Sequence, residues 1–230
     1  MKAVIFDMDG VIVDTEGVYH KPLLQYVQQF NPSAVSEDLN AVIGRGKKDV
    51  WEIVASVAGT GKTGQEVMED YNRNWRPLHA PEPDYTALFR PAVRNILHTA
   101  KQKSIKTAVA SSTAYEKVVR ILKAVGIFDE MDYVVSGEDL ERPKPAPDIY
   151  LKAAETLQIL PRDCAVIEDS TAGIEAAHAA GMRVYALIDI RFSFDRSKAD
   201  FELEKLDDFP ALMENEAAEK VIKFNCHIMY

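Results

Sequence analysis

Two aspartates, Asp7 and Asp9, stand two residues apart and are followed at once by Gly10. Carboxylates this close repel each other unless one is protonated or a cation lies between them. Further along the chain, Glu168 and Asp169 form a second acidic pair ahead of Ser170. Lys144 sits between two prolines in RPKPAPD, and Ser111, Ser112 and Thr113 follow a run of small apolar residues. Taken singly, each has an ordinary structural use. Asp-Gly makes turns, a serine caps a helix, an acidic pair suits a first helical turn, and a loop lysine is usually solvated. Taken together they place acids, a cation and hydroxyl donors in order along the chain.

The elements that must position them are short apolar runs. Ala3 to Phe6 has no polar break and reads as a buried parallel strand. Similar runs at 106–110, 133–135, 164–167 and 183–187 predict further strands. Helical patterns at 91–102, 114–125, 147–157 and 171–180 separate them. In the second of these, Val118, Leu122 and Val125 share one face, and Gly126 and Gly181 supply stop signals. Strands alternating with helices predict βαβ units, and so an α/β fold with a parallel sheet covered on both faces. Right-handed crossovers return every strand in the same direction, so the candidate groups gather on one edge. That carboxyl edge is where open α/β sheets bind ligands. Residues 199–213 predict one more short strand and helix, and 214–230 form a tail without a pattern.

Between the first strand and the rest, residues 15 to about 80 show no strand pattern. Tyr19, Leu23, Tyr26, Val27 and Phe30 predict a helix over 16–30 that Asn31-Pro32 ends. Further helices are expected at 36–43, 47–58 and 63–76. GTGKTG at 59–64 lacks the spacing of a nucleotide-binding loop and has no strand before it, so it reads as a turn with Thr63 as a helix cap. A proline-rich stretch at 79–93 is the expected return linker. The division predicted is 1–14 with 84–213 as one unit, 15–83 as an inserted helical unit, and 214–230 as the tail.

Composition narrows the partners. The chain has 230 residues, 47% of them hydrophobic, with 27 basic against 36 acidic residues and a formal charge of -9. That balance disfavours nucleic acids and anionic membranes. Two distant cysteines, Cys164 and Cys226, do not make a disulfide framework. No apolar run approaches the ~18 residues of a membrane span. The run after Lys2 is too short for a signal peptide and Asp7 interrupts it, so a cytoplasmic location is expected. The five histidines show no metal-ligand spacing, although His20 and His79 flank the helical unit. Arg45, Lys47 and Lys48 form a small basic cluster that could grip the far end of a substrate.

DxDGV at 7–11, Ser111 after its strand, Lys144 in KPAPD, and EDS with a following AG at 168–173 resemble, in order, the four motifs of the haloacid dehalogenase superfamily. The likeness covers about 1–190 and is strongest to its sugar-phosphate phosphatases and β-phosphoglucomutase-like members. The resemblance implies a Rossmann-like core with an inserted α-helical cap, a monomer and a small phosphate ester as substrate. It also implies Mg²⁺ held by Asp7, the Asp9 backbone carbonyl and Asp169, with Glu168 behind them or acting through a water. By the same resemblance Asp7 is the nucleophile that becomes an aspartyl phosphate, and Asp9 is the general acid and base. Ser111, Ser112 and Lys144 bind phosphate, while His20, Arg45, Lys47 and Lys48 face the substrate from the cap. Hinges are expected at Asp14–Thr15 and at 78–84.

Asp9 favours phosphate esters over halides, since dehalogenases of the superfamily lack the second acid. A mutase of this kind carries a Lys-Asn pair shortly after the serine and a histidine in the first cap helix. Here Ala114 and Tyr115 stand in the first place and Tyr19 in the second, with His20 one residue later. One residue turns a helical side chain by about 100°. The expected activity is therefore hydrolysis, with phosphoryl transfer between sugar phosphates as the alternative. A silent phospholigand-binding protein would be expected to lack Asp7, Asp9, Lys144 or Asp169, and all are present.

Overall fold

The computed structural model describes residues 1–80, 82–138 and 140–214. The expected tail lies outside the described residues from 215 onward. The chain opens with β1 (Ala3–Phe6) and then runs through α1 (Glu16–Val27), a 3₁₀ turn at Ser36–Val42, α2 (Lys47–Ala58), α3 (Gly64–Asp70), a wide π turn at Tyr71–Trp75 and α4 (Arg76–His79). It returns through α5 (Tyr85–Leu88) and α6 (Ala92–Gln102) to β2 (Lys106–Ser111). There follow α7 (Tyr115–Ala124), β3 (Tyr133–Ser136), α8 (Asp148–Leu157), β4 (Cys164–Glu168), α9 (Thr171–Ala179), β5 (Arg183–Leu187), β6 (Phe201–Leu203) and α10 (Phe209–Glu214).

The strands form one six-stranded sheet in the order β3-β2-β1-β4-β5-β6. Every pairing is parallel. The fold is thus the α/β, Rossmann-like parallel sheet that the alternation predicts. Because the order reverses on either side of β1, that strand ends at the crevice where such sheets bind ligands. Alternate side chains of β1 serve opposite faces. Val4 and Phe6 join the apolar layer under α6, α7 and α10. Ala3 and Ile5 join the layer under α8 and α9. Both layers exclude water from β1, which explains an apolar run without polar alternation.

The inserted stretch has an apolar centre of its own, built from Leu23, Tyr26, Val27, Leu39, Val54 and Val67 among others. Thr63 caps α3 as expected. Its hydroxyl accepts from the Glu66 N–H at 3.3 Å, and the Glu66 carboxylate accepts from the Thr63 N–H at 2.8 Å, so GTGKTG is a capped turn. The helix expected at 36–43 is a 3₁₀ turn and the one expected at 63–76 is interrupted by the π turn; two further expectations need correction. The first helix stops at Val27, short of Phe30, since the Asn31-Pro32 step biases the chain out of the α region. The return segment is more than a linker: the Asp84 carboxylate accepts from the Thr86 N–H and caps α5. Among the described residues, no helix is long and apolar enough to cross a membrane.

Candidate active site

The sheet register sets the site. Phe6 pairs with Val109 of β2 and with Ile167 of β4. One residue further on, Asp7, Ala110 and Glu168 therefore stand level at three adjoining strand ends. The buried Lys144 ammonium joins all three. It donates to Asp7 Oδ1 at 2.5 Å, to Glu168 Oε1 at 2.7 Å and to the Ala110 carbonyl at 3.3 Å. The loop that carries Lys144 is anchored by α8, whose Ile149 and Tyr150 lie in the core. Tyr150 donates its hydroxyl to Glu168 Oε1 at 2.9 Å, and its ring centroid lies 5.0 Å from the ammonium.

Glu168 is occupied on both oxygens. Oε2 accepts from the backbone N–H groups of Asp169 and Ser170, each at 2.9 Å, and from the Ser170 hydroxyl at 3.0 Å. A side chain on Gly173 would overlap this carboxylate, so the glycine of the AG step lets α9 ride directly on it. Glu168 thus orients Lys144 and the turn that presents Asp169.

Gly10 brings the first and last motifs together. Its φ of +85° turns the chain away after Asp9, and a Cβ there would collide with the Asp169 carboxylate. Asp169 Oδ2 is buried and has no hydrogen-bond partner. The Asp9 carboxylate is held from both sides, by the Thr15 hydroxyl at 2.7 Å and the Thr113 hydroxyl at 2.9 Å. Ser111 is buried, and its oxygen accepts from the Thr113 N–H at 3.1 Å, leaving its own proton available to an acceptor. The Ser112 hydroxyl instead donates to the Gly44 carbonyl at 3.0 Å. Gly44, at φ +75°, also lies so close to Ser170 that a Cβ would strike it. It is the point where the helical insert meets the ends of both β2 and β4.

The electrostatics are those of a site short of positive charge. Burial raises the Asp7 carboxyl to about 8, against the pull of Lys144. Burial, then Glu16, Glu168 and Asp7, holds the Asp169 carboxyl well above the ordinary range. Glu168 moves the other way: burial alone would raise it, but Lys144 and the hydrogen bonds lower it. Lys144 is held well above its usual value by Asp7 and Glu168, although burial opposes this. Sequence reasoning missed Glu16. It is buried at the start of α1, and burial together with Asp9 and Asp7 pushes its carboxyl up strongly. Its signal was the acid directly after Asp14-Thr15, which reads equally well as an ordinary helix start.

Of the acids gathered here, only Asp7 and Glu168 pair with the Lys144 ammonium. A hard divalent cation with oxygen ligands suits that imbalance. Among the described residues, no three carboxylate, imidazole or thiolate side chains close on one point as a ready cage. Among the groups described, the Asp7 carboxylate and the partnerless Asp169 oxygen could serve such an ion as ligands.

The remaining sequence candidates are dispersed. Lys47 and Lys48 begin α2 and, with Trp51 and Gln65, form one wall of a cleft of about 750 Å³ that Ser112 and Ala114 close on the other side. The acids lie beside this cleft rather than in its lining. Arg45 is half-buried just before it. His20 is buried against Phe192, ring centroids 5.3 Å apart, and burial lowers its pKa. His79 stacks on Trp75 at 3.8 Å within the insert.

Comparison with known proteins agrees with this geometry. Residues 4–187 match the haloacid dehalogenase-like hydrolases. The chain is 35% identical over 188 residues to the β-phosphoglucomutase of Bacillus subtilis, covering 79% of this chain and 81% of that one. It is 31% identical over 193 residues to a phosphorylated carbohydrates phosphatase of Thermotoga maritima, covering 82% and 86%. Among solved structures, β-phosphoglucomutase from Clostridium difficile shares the fold, with a TM-score of 0.75 at 21% identity over 100% of both chains.

Proposed function

The chain belongs to the haloacid dehalogenase-like hydrolases and is an enzyme acting on phosphate esters; on that premise we propose that it is a Mg²⁺-dependent phosphatase of a small phosphorylated metabolite, a sugar phosphate, working through an aspartyl phosphate on Asp7. The observation that carries this reading is the buried Lys144 ammonium bridging Asp7 and Glu168 beside the partnerless Asp169 oxygen.

Asp7 would attack phosphorus in line with the ester oxygen, forming the acyl phosphate as the phosphorus–ester bond breaks. Asp9, steadied by Thr15 and Thr113, gives the leaving oxygen its proton. It then takes a proton from water, which attacks phosphorus, frees inorganic phosphate and restores the Asp7 carboxylate. Lys144 and the Ser111 hydroxyl hold phosphoryl oxygens, with backbone N–H groups near Asp9 and Ser112 assisting. Asp7, Asp169 and the Asp9 carbonyl would hold Mg²⁺, which when bound supplies the charge that lets an anionic carboxylate approach an anionic ester. Glu168 acts by orienting Lys144. Residues 15–83 serve as the cap, with Lys47, Lys48 and Arg45 meeting the distal end of the substrate.

A second reading is phosphoryl transfer between sugar phosphates. Two observations favour it: the 35% identity to a β-phosphoglucomutase, and the exposed Lys47 and Lys48 on the cleft wall. Ala114 and Tyr115 count against it, as does Ser112, whose hydroxyl is taken by Gly44. Phosphate release from an aryl phosphate and from a panel of sugar phosphates, with and without Mg²⁺, tests the first reading. Asp7→Asn should abolish release. Fast interconversion of glucose phosphates primed by a bisphosphate, with only slow release, would replace it by the second.

A further inference from the structure

The loop after β5 has no part in the chemistry above, yet it grips the cap at its root. Asp189, itself buried, accepts from Arg191 Nε at 2.9 and 3.0 Å and so fixes the guanidinium on its own loop. The same guanidinium reaches Asp14 Oδ1, immediately ahead of α1. On that oxygen Arg90 Nη2 also closes, at 3.3 Å, from the returning segment. Arg90 Nε meanwhile donates to the Gly10 carbonyl at 2.9 Å, beside the nucleophile loop. One carboxylate, Asp14, is therefore shared by the outgoing segment, the returning segment and the β5 loop.

The contact extends onto the cap. Gly17, in the first turn of α1, lies so close over Arg191 that a Cβ would stand 3.3 Å from Nη1. The next loop residue, Phe192, packs on His20 of α1, and with Phe194 it covers Ile43 just before Gly44. At its far end the Asp195 N–H bonds the Thr171 hydroxyl at 2.9 Å, at the head of the helix that follows Glu168-Asp169-Ser170. A single short loop thus runs from the turn presenting the acids to the hinge and the underside of the cap.

We propose that Arg191 and Phe192 are positioning residues that hold the cap in register over the acids, so that the β5 loop sets how readily the cleft closes on substrate. An isolated ion pair at this exposure contributes little. Here the guanidinium is pre-oriented by Asp189, shared with a second arginine through Asp14, and backed by an aromatic contact. Loosening it shifts the balance between open and closed cap, and apparent affinity falls by the fraction of closure lost. The chemistry at Asp7 is untouched, because neither residue reaches the reacting atoms. The effect on turnover rests on the phosphatase reading; the effect on cap dynamics does not.

The test uses the full chain with Mg²⁺ and compares wild type, Arg191→Gln, Arg191→Lys and Phe192→Ala. Arg191→Gln should raise KM for an aryl phosphate about tenfold while kcat stays within about threefold, as a population shift requires. Arg191→Lys, which keeps charge but not the planar fork, should recover part of the loss. In hydrogen exchange without substrate, α1 should lose protection in Arg191→Gln and Phe192→Ala while β1 and β4 keep theirs. A fall in kcat at constant KM, or α1 exchange identical to wild type in Arg191→Gln, overturns the proposal. If wild type releases no phosphate from any ester, the phosphatase reading fails and the exchange of α1 alone decides this one. If Phe192→Ala does not fold, Arg191→Gln, at an exposed position, carries the test.

Discussion

The acid cluster and the wall of the cleft beside it are built on opposite terms. At the site's floor, Asp7, Lys144, Glu168 and Tyr150 are buried and joined through the Lys144 ammonium and the Glu168 carboxylate, and Asp169 Oδ2 is buried without a partner. On the wall, Lys47 and Lys48 stand exposed at the head of α2 and form no ion pair among the described residues. A buried, interlocked floor fixes a geometry for chemistry, since it cannot relax when a substrate arrives. An open wall with free charges can adapt to the far end of a molecule. On the proposed reading the reaction belongs to the floor and the choice of substrate to the wall, a division that can be broken at several points.

The largest effect should come from the floor. Asp7→Asn is expected to lower kcat by about 10⁴-fold or more, as removal of a nucleophile does, while the variant still folds. Steady-state kinetics together with circular dichroism would check both halves. Next, Lys144→Met leaves Asp7 and Glu168 buried without their counter-charge. Breaking a buried ion pair from one side costs about 3–5 kcal/mol, so the urea midpoint should drop steeply along with activity.

The metal-free floor should also make stability depend on pH. Asp7, at about 8, has a carboxyl above its unfolded value, and Glu16 and Asp169 are raised well above theirs. Between about pH 4 and 8 the folded chain therefore holds protons that the unfolded chain has released, and stability falls as pH rises through that window. A bound cation takes over from those protons. Mg²⁺ should thus raise Tm more at about pH 8 than at about pH 5. Equal shifts at both, in a thermal melt series, would contradict the assignment of the acids to a cation site.

The smallest effect belongs to the wall. Lys47→Ala and Lys48→Ala should each raise KM for the preferred sugar phosphate by several-fold, leaving kcat and the turnover of a bare aryl phosphate nearly unchanged. A large loss of kcat from either would mean that the wall takes part in the reaction, and the division drawn above would fail.

The same contrast explains what could be read from the sequence. Asp7, Lys144 and the Glu168-Asp169 pair were legible because they lie at the end of, or in the loop after, three apolar runs, and a parallel sheet brings such ends to one edge. The parallel sheet followed from the alternation for the same reason, whereas the strand order is known only from the structure. Glu16, Gly44 and Arg191 were not legible. Glu16 looks like an ordinary first-turn acid, and its burial depends on how the insert lies on the sheet. Gly44 matters only because Ser112 and Ser170 approach it from two different strands. Arg191 finds Asp14 across 177 positions of chain, with no periodic pattern to announce it. The wide turn at Tyr71–Trp75, inside what reads as one helix, likewise reflects packing in the insert rather than propensity.

The most direct measurement of the central claim is to quench the working enzyme in acid during turnover of a sugar phosphate with Mg²⁺ and to locate bound phosphate by peptide mass spectrometry. The account predicts an acid-stable, base-labile phosphate on the peptide carrying Asp7, absent in Asp7→Asn and absent without the metal. Phosphate on Ser111 instead, or continued turnover with no phosphorylated peptide, would contradict it.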